Sequence, residues 1–277
     1  MTGDPTLTER RFAGRVVGVF DAGIGGLPIA RALTRRLPGV AISYLADSGR
    51  RPYGPQPGAT VARYVRQAER FFAGKGVDVW VIACNTASVV APATNERLVP
   101  CVDMVEAVGR VLPPVAAGRV ALLGTLGTIV SGAIPRAYPD HDWVPMPTEA
   151  LLRHAEEGDA RSPAVLDLLR RLRDEVDQSG ATHAVLACTD YTCILPAMAD
   201  ALPGIALLDP LDGAVRAVCD IVRSRSTDEA PTAFRESRGH EFAVTGHHPV
   251  DIPTLARETY GLEFTTTVTI NLELTES

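Results

Sequence analysis

One stretch of this chain occurs twice. GVDVWVIACNTA at 76–87 and GATHAVLACTDY at 180–191 each run from a glycine through seven residues to a cysteine, ending V-[IL]-A-C. Cys84 and Cys188 lie 104 residues apart. RVVGVFDAG at 15–23 and RVALLGTLG at 119–127 keep the same offset, which aligns Arg15 with Arg119, Asp21 with Thr125 and Gly23 with Gly127. Two separated landmarks at one offset imply a duplicated unit, so the chain is expected to fold as two similar lobes. The expected bounds are 14–108 plus 211–277 for the first lobe and 109–210 for the second.

Each unit alternates strand-like and helix-like stretches. VVGVF, VAISYLA and WVIAC are near-continuous apolar runs, whereas LPIARALTRRL and ATVARYVRQAERFFAGK carry helical periodicity. Pro28 stands near the first helix start, where a missing N–H is harmless. In the second unit ALLG and AVLAC read as strands and AVLDLLRRLRDEVDQSG as a helix, with an unassigned stretch leading to DWVPM. LDGAVRAVCDIVRSR and TTTVTINLEL are expected to return to the first lobe as helix and strand, with 225–240 as a surface excursion. Apolar strands between amphipathic helices imply α/β lobes, each a parallel sheet covered on both faces. Ligands of such sheets bind beyond the carboxyl ends of the strands. Those ends carry Asp21, Asp47-Ser48, Cys84-Asn85-Thr86, Thr125 and Cys188-Thr189-Asp190. Two facing lobes would bring Cys84 and Cys188 to one ligand from opposite sides.

Composition removes several classes of function. Net charge is −6 with no basic cluster, which argues against nucleic acid as a partner. No apolar run approaches the ~20 residues that span a bilayer, and the N-terminus has no apolar core of an export signal. Five cysteines without framework spacing suggest reduced thiols in a cytoplasm. Cys101, Cys193 and Cys219 read as small hydrophobes. No metal site is expected, because neither Cys84 nor Cys188 has His or Cys neighbours at ligand spacing.

Cys84 and Cys188 stand at the wet ends of equivalent strands. A lone nucleophilic thiol needs a base, usually histidine, and neither motif holds one; His183 lies early in its strand. Two opposed thiols suit proton transfer at carbon, one removing a proton and the other delivering one to the opposite face. No cofactor is expected. Pyridoxal phosphate needs a lysine, and the single lysine, Lys75, falls at the wrong end of the sheet. DAGIGG at 21–26, with Asp47 after the second strand, invites a dinucleotide reading. The third glycine is missing, however, and Asp21 would repel a pyrophosphate. A two-lobed ligand-binding module without chemistry is the other class, although a binder has no need of two thiols.

With these landmarks in place, the chain resembles the cofactor-independent glutamate racemases of the aspartate/glutamate racemase superfamily. The resemblance is carried by GVFDAGIGG, DSGRRPYGP, VIACNTA, LLGTLGTIVSGAI, HAEEG, LACTDY and FAVTGHHPVDIPTLARETYG, in this order. It implies Cys84 as base toward the D-enantiomer and Cys188 toward the L-enantiomer, with Asp21 assisting Cys84 or orienting the substrate amino group, and Glu156 or its neighbour Glu157 assisting near Cys188. Asn85, Thr86, Thr128 and Thr189 would hold the amino and α-carboxylate groups. Pro52, Tyr53 and Gly54 would lie near the side-chain carboxylate. It also implies D-glutamate for peptidoglycan and a homodimer. Two departures bear on the site: Ala22 stands where the family has serine, and Asp190 where it has histidine. Asp190 disfavours a thiolate at Cys188 and so favours that thiol as proton donor. The departures leave open aspartate or another amino acid as substrate, a one-way isomerase, and a catalytically silent relative.

Overall fold

VVGVFD, Val16–Asp21 (β1), buries all six of its residues, as does AISYLA, Ala41–Ala46 (β2). Strands covered on both faces must be apolar throughout, and this is why these runs do not alternate. The computed structural model describes residues 11–91, 97–156, 161–225 and 239–272. Between and after these strands come α1 (Leu27–Arg36), α2 (Gly58–Lys75), β3 (Val79–Ile82), α3 (Asn85–Ser88), β4 (Cys101–Asp103) and α4 (Met104–Gly109). There follow β5 (Arg119–Gly124), α5 (Leu126–Ser131), α6 (Ala133–Ala137), β6 (Trp143–Pro147), α7 (Glu149–Glu156) and α8 (Pro163–Ser179). β7 (Ala181–Ala187), α9 (Tyr191–Ala201), β8 (Ala206–Leu208), α10 (Pro210–Arg225), β9 (His240–Val244), α11 (Ile252–Tyr260) and β10 (Phe264–Thr269) complete the described chain.

Two sheets result, ordered β10-β9-β2-β1-β3-β4 and β6-β5-β7-β8. Every pairing in them is parallel. The second sheet repeats the β2-β1-β3-β4 part of the first strand for strand. In the first, Val17 and Val19 join one apolar cluster while Val16 and Phe20 join another on the opposite face. In the second, Ala121 and Leu123 divide from Val120 and Leu122 in the same way. The expected α/β architecture of parallel sheets flanked by helices is what the chain forms.

The glycine that opens each repeated stretch has a physical explanation. Gly76 ends α2 and Gly180 ends α8, both left-handed, with φ of 63° and 71°. A residue with a Cβ is strained in that conformation, so glycine stops the helix and turns the chain into the cysteine-bearing strand.

The same topology positions the ligand site. From β1 the chain crosses to β2 on one side and then returns past β1 to β3 on the other. The crossover direction therefore reverses between β1 and β3, and it reverses again between β5 and β7. A crevice opens where neighbouring connections leave a sheet in opposite directions. Asp21 and Cys84 stand at the first reversal, Thr125 and Cys188 at the second.

The segment from 240 to 260, read from sequence only by its resemblance, forms β9 and α11. HEFAV is short, and it becomes a strand by pairing with β2 on one side and β10 on the other. Local signals for α11 were present: the Asp251 side chain caps its first turn, and left-handed Gly261 ends it. α10 packs on α1, α4 and β3. Most of the expected 225–240 excursion lies outside the described residues. Among the described residues no helix is long and apolar enough to cross a membrane.

Candidate active site

Loops at five strand ends converge on one pocket, and three of them carry its thiols and carboxylates. The first follows β1, where Asp21 accepts hydrogen bonds from the Gly23 N–H (2.7 Å) and from Thr189 Oγ1 (3.2 Å). The second follows β3, where Cys84 is the N-cap of α3 and Asn85 and Thr86 form the first turn. The third follows β7 and carries Cys188, Thr189 and Asp190 into α9. Cys188 Sγ donates to Asp190 Oδ2 at 3.7 Å. Cys84 and Cys188 thus face one pocket from the two sheets.

Of the residues singled out in the sequence, Asp21, Ala22, Pro52, Tyr53, Gly54, Cys84, Asn85, Thr86, Cys188, Thr189 and Asp190 all line this pocket. Asn85 is 3% exposed, and neither atom of its amide has a hydrogen-bond partner among the described residues. A buried amide costs free energy until something pairs with it, so this one marks a place for a polar ligand. Tyr53 presents its ring to the pocket and donates its hydroxyl to Asp47. Asp47 is fully buried and also accepts from Arg50 Nε and Thr245 Oγ1. It anchors the loop, which leaves no carboxylate there for a ribose.

Two singled-out residues stand apart. Thr128 is 1% exposed and lies behind the pocket, its hydroxyl 3.0 Å from Thr125 Oγ1 and 3.4 Å from Thr86 Oγ1. Thr125 is the threonine that lines the pocket. The repeat held the signal for it, since Thr125 is the counterpart of Asp21. Glu156 closes α7, and its side chain lies outside the described residues. Gly23, Ile24 and Arg51 also line the pocket; the first two belong to the glycine loop, and Arg51 precedes the Pro-Tyr-Gly segment. Cys219 lies in the first sheet's core, while Cys101 and Cys193 pack against cores. Lys75 donates to Glu241 at 3.0 Å, away from the pocket lining.

A family model described as Asp/Glu/Hydantoin racemase matches residues 29–218. A glutamate racemase of Beutenbergia cavernae is 32% identical over 89% of this chain and 90% of its own length. The chain belongs to the Asp/Glu/hydantoin racemase family. Among solved structures, glutamate racemase from Thermus thermophilus in complex with beta-chloro-D-alanine matches 94% of this chain and 98% of its own, with 32% identity and a TM-score of 0.77. The structure of the Francisella tularensis enzyme in complex with D-glutamate covers 94% and 99% at a TM-score of 0.80; at 24% identity it speaks for the fold.

In this member of the racemase family both pocket thiols are held well above the ordinary cysteine range. Burial is the main cause for Cys84, followed by Asp21, while the N–H groups of Ala87 and Thr86 pull the other way. For Cys188 burial again leads, and the Asp190 carboxylate comes second. At rest both thiols are therefore neutral.

Cys101, Cys193 and Cys219 are raised as well, chiefly by burial. An unfolded thiol ionises near about pH 8.5, whereas the folded one holds its proton. The stabilisation is complete below the unfolded pKa and is lost as pH rises above it. Urea midpoints measured from pH 7 to pH 10 are expected to fall over that range. Replacing Cys101 and Cys219 with alanine is expected to flatten the alkaline slope, and an unchanged slope would contradict the assignment.

Proposed function

We propose that the protein is a cofactor-independent racemase of glutamate that uses Cys84 and Cys188 as its two acid/base groups. The carrying observation is a single pocket lined by both thiols, with Asp21 and Asp190 beside them. The glutamate racemases among its relatives support the substrate.

The reactive form needs one thiolate and one thiol. The substrate ammonium offsets the negative charge of Asp21 and Asp190, which lowers the cost of deprotonating a neighbouring thiol. The released thiol proton passes to the adjacent carboxylate. One thiolate then takes the Cα proton and becomes a thiol. The opposite thiol donates its proton to the other face of the carbanion and becomes a thiolate. Protons and charge balance, and the centre is inverted. Asn85, Thr86, Thr125 and Thr189 supply hydrogen bonds to the α-carboxylate, whose charge grows as the carbanion delocalises into it. Thr128 supports Thr86 and Thr125 from behind.

Incubation in heavy water with each enantiomer of a panel of amino acids tests this reading. Inversion of glutamate with solvent deuterium at Cα is expected, and no exchange with any amino acid would leave a binding protein instead. A D-glutamate supply for peptidoglycan, a cytoplasmic location and a homodimer are proposals that follow from the same reading; sedimentation in solution checks the dimer.

Asp190 lends itself to a directional test. Asp190→His removes the carboxylate that raises Cys188 and still leaves a group able to accept its proton. Turnover from L-glutamate is expected to rise several-fold, about tenfold for each unit by which the thiol pKa falls. The limb of the pH–rate profile that reports Cys188 is expected to move to lower pH. An unmoved limb would show that Asp190 does not govern this thiol.

A further inference from the structure

The pocket has an excess of negative charge to reconcile with its substrate. Asp21 and Asp190 line it, and both favour an ammonium group while opposing carboxylates. A dicarboxylic amino acid brings two carboxylates. Arg51 carries the sole cationic side chain among the described residues that line the pocket. Its guanidinium stands over the loop after β1: a Cβ built on Gly23 would lie 3.7 Å from Arg51 Nη1 and 3.2 Å from His248 Nε2.

Arg51 Nη1 is hydrogen-bonded to His248 Nε2. A guanidinium has donors and no acceptor, so Nε2 must offer a lone pair. The imidazole is therefore neutral, and its Nδ1 faces Val250, 3.0 Å from the N–H and 3.2 Å from the carbonyl oxygen. His248 is 8% exposed, and its pKa lies below the ordinary histidine value because of burial and then the facing Arg51. Protonation would replace the accepting lone pair by a second donor and set two cations against each other.

We propose that Arg51 determines specificity by pairing with the side-chain carboxylate of a dicarboxylic amino acid, and that neutral His248 is the positioning residue that holds the guanidinium in place. The division of labour follows from position. Asn85 and Thr86 adjoin Cys84, and the unpaired Asn85 amide with the Thr86 hydroxyl beside it suits the α-carboxylate, which every amino acid has. Arg51 belongs instead to the 51–54 segment after β2, and its guanidinium lies over the loop after β1 rather than in the turn that follows Cys84. The proposal rests on the racemase reading for the placement of Cα between the two sulfurs.

The test measures dissociation constants of L-glutamate and L-glutamine by NMR titration, so it needs no turnover. Arg51→Gln is expected to weaken glutamate roughly 10- to 100-fold, the range of a lost hydrogen bond to a charged group, and to leave glutamine nearly unchanged. Equal weakening of both ligands would place Arg51 on the α-carboxylate and overturn the proposal. So would unaltered glutamate affinity, or failure of the wild type to prefer glutamate. His248→Phe is expected to weaken glutamate nearly as much, and His248→Gln, whose amide oxygen can accept from Arg51, to restore most of the affinity. In the wild type the preference for glutamate over glutamine is expected to shrink as pH falls and His248 takes a proton. Equal binding by the two His248 variants, with a flat pH profile, would refute the positioning role. Parallel exchange measurements in heavy water keep the readings apart: binding preference without exchange defeats the racemase, and exchange without preference defeats the role of Arg51.

Discussion

Cys84→Ser and Cys188→Ser are each expected to lower glutamate racemisation by roughly 10²- to 10⁴-fold, the contribution of a positioned acid or base. Serine keeps the side chain's size and hydrogen bonding, so packing should survive. Its hydroxyl cannot become an oxyanion in a pocket whose burial and two carboxylates already raise even a thiol. The two variants should also fail together. Inversion needs one group on each face, so the double variant is expected to be little worse than either single one, as for residues that act as a unit. Polarimetry of both enantiomers, with thermal midpoints as a control for folding, measures this. A single variant within about tenfold of wild type would sink the two-thiol mechanism, because that loss falls below what an essential acid or base contributes.

Gly25→Ala is expected to reduce turnover by about 100-fold, the penalty for displacing a reacting group by about 1 Å. Gly25 lies in the loop after β1, against the second cysteine motif. A methyl group there would fall 2.2 Å from Thr189 Oγ1 and 2.6 Å from Thr189 Cβ, with Asp190 Oδ1 at 3.0 Å. Thr189 Cβ is bonded directly to the backbone and cannot rotate aside, so the chain just after Cys188 must move. Overpacking costs about 1–3 kcal/mol of stability, which leaves the protein folded for assay. Thr189→Gly removes the two closest obstacles. In that background Gly25→Ala is expected to cost far less, and the coupling can be read from a double-mutant cycle. Additive losses would show that the contact is not what makes Gly25 necessary.

Much of this arrangement was legible because it is written in local patterns. Helix periodicity, apolar strand runs and the glycines that stop α2 and α8 act within a dozen residues of where they stand. The unassigned stretch before DWVPM was harder to read. α5 and α6 are only six and five residues long there, separated by left-handed Gly132, and too short to show a period. β9 was hidden for a related reason: HEFAV has polar ends, and it becomes a strand through the partners on either side of it.

What the sequence by itself determined is the duplicated α/β plan and the equivalence of Cys84 with Cys188, since a repeat offset survives without coordinates. What only the tertiary structure decided is which polar groups face the substrate. Sequence named Thr125 only among the polar strand ends and gave the substrate contact to Thr128, yet a three-residue step on α5 turns Thr128 inward to support its neighbour. Arg51 and His248 are 197 residues apart and meet because β9 pairs with β2. Electrostatic and hydrogen-bond partnerships act over a few ångströms in space, and chain separation carries no record of them.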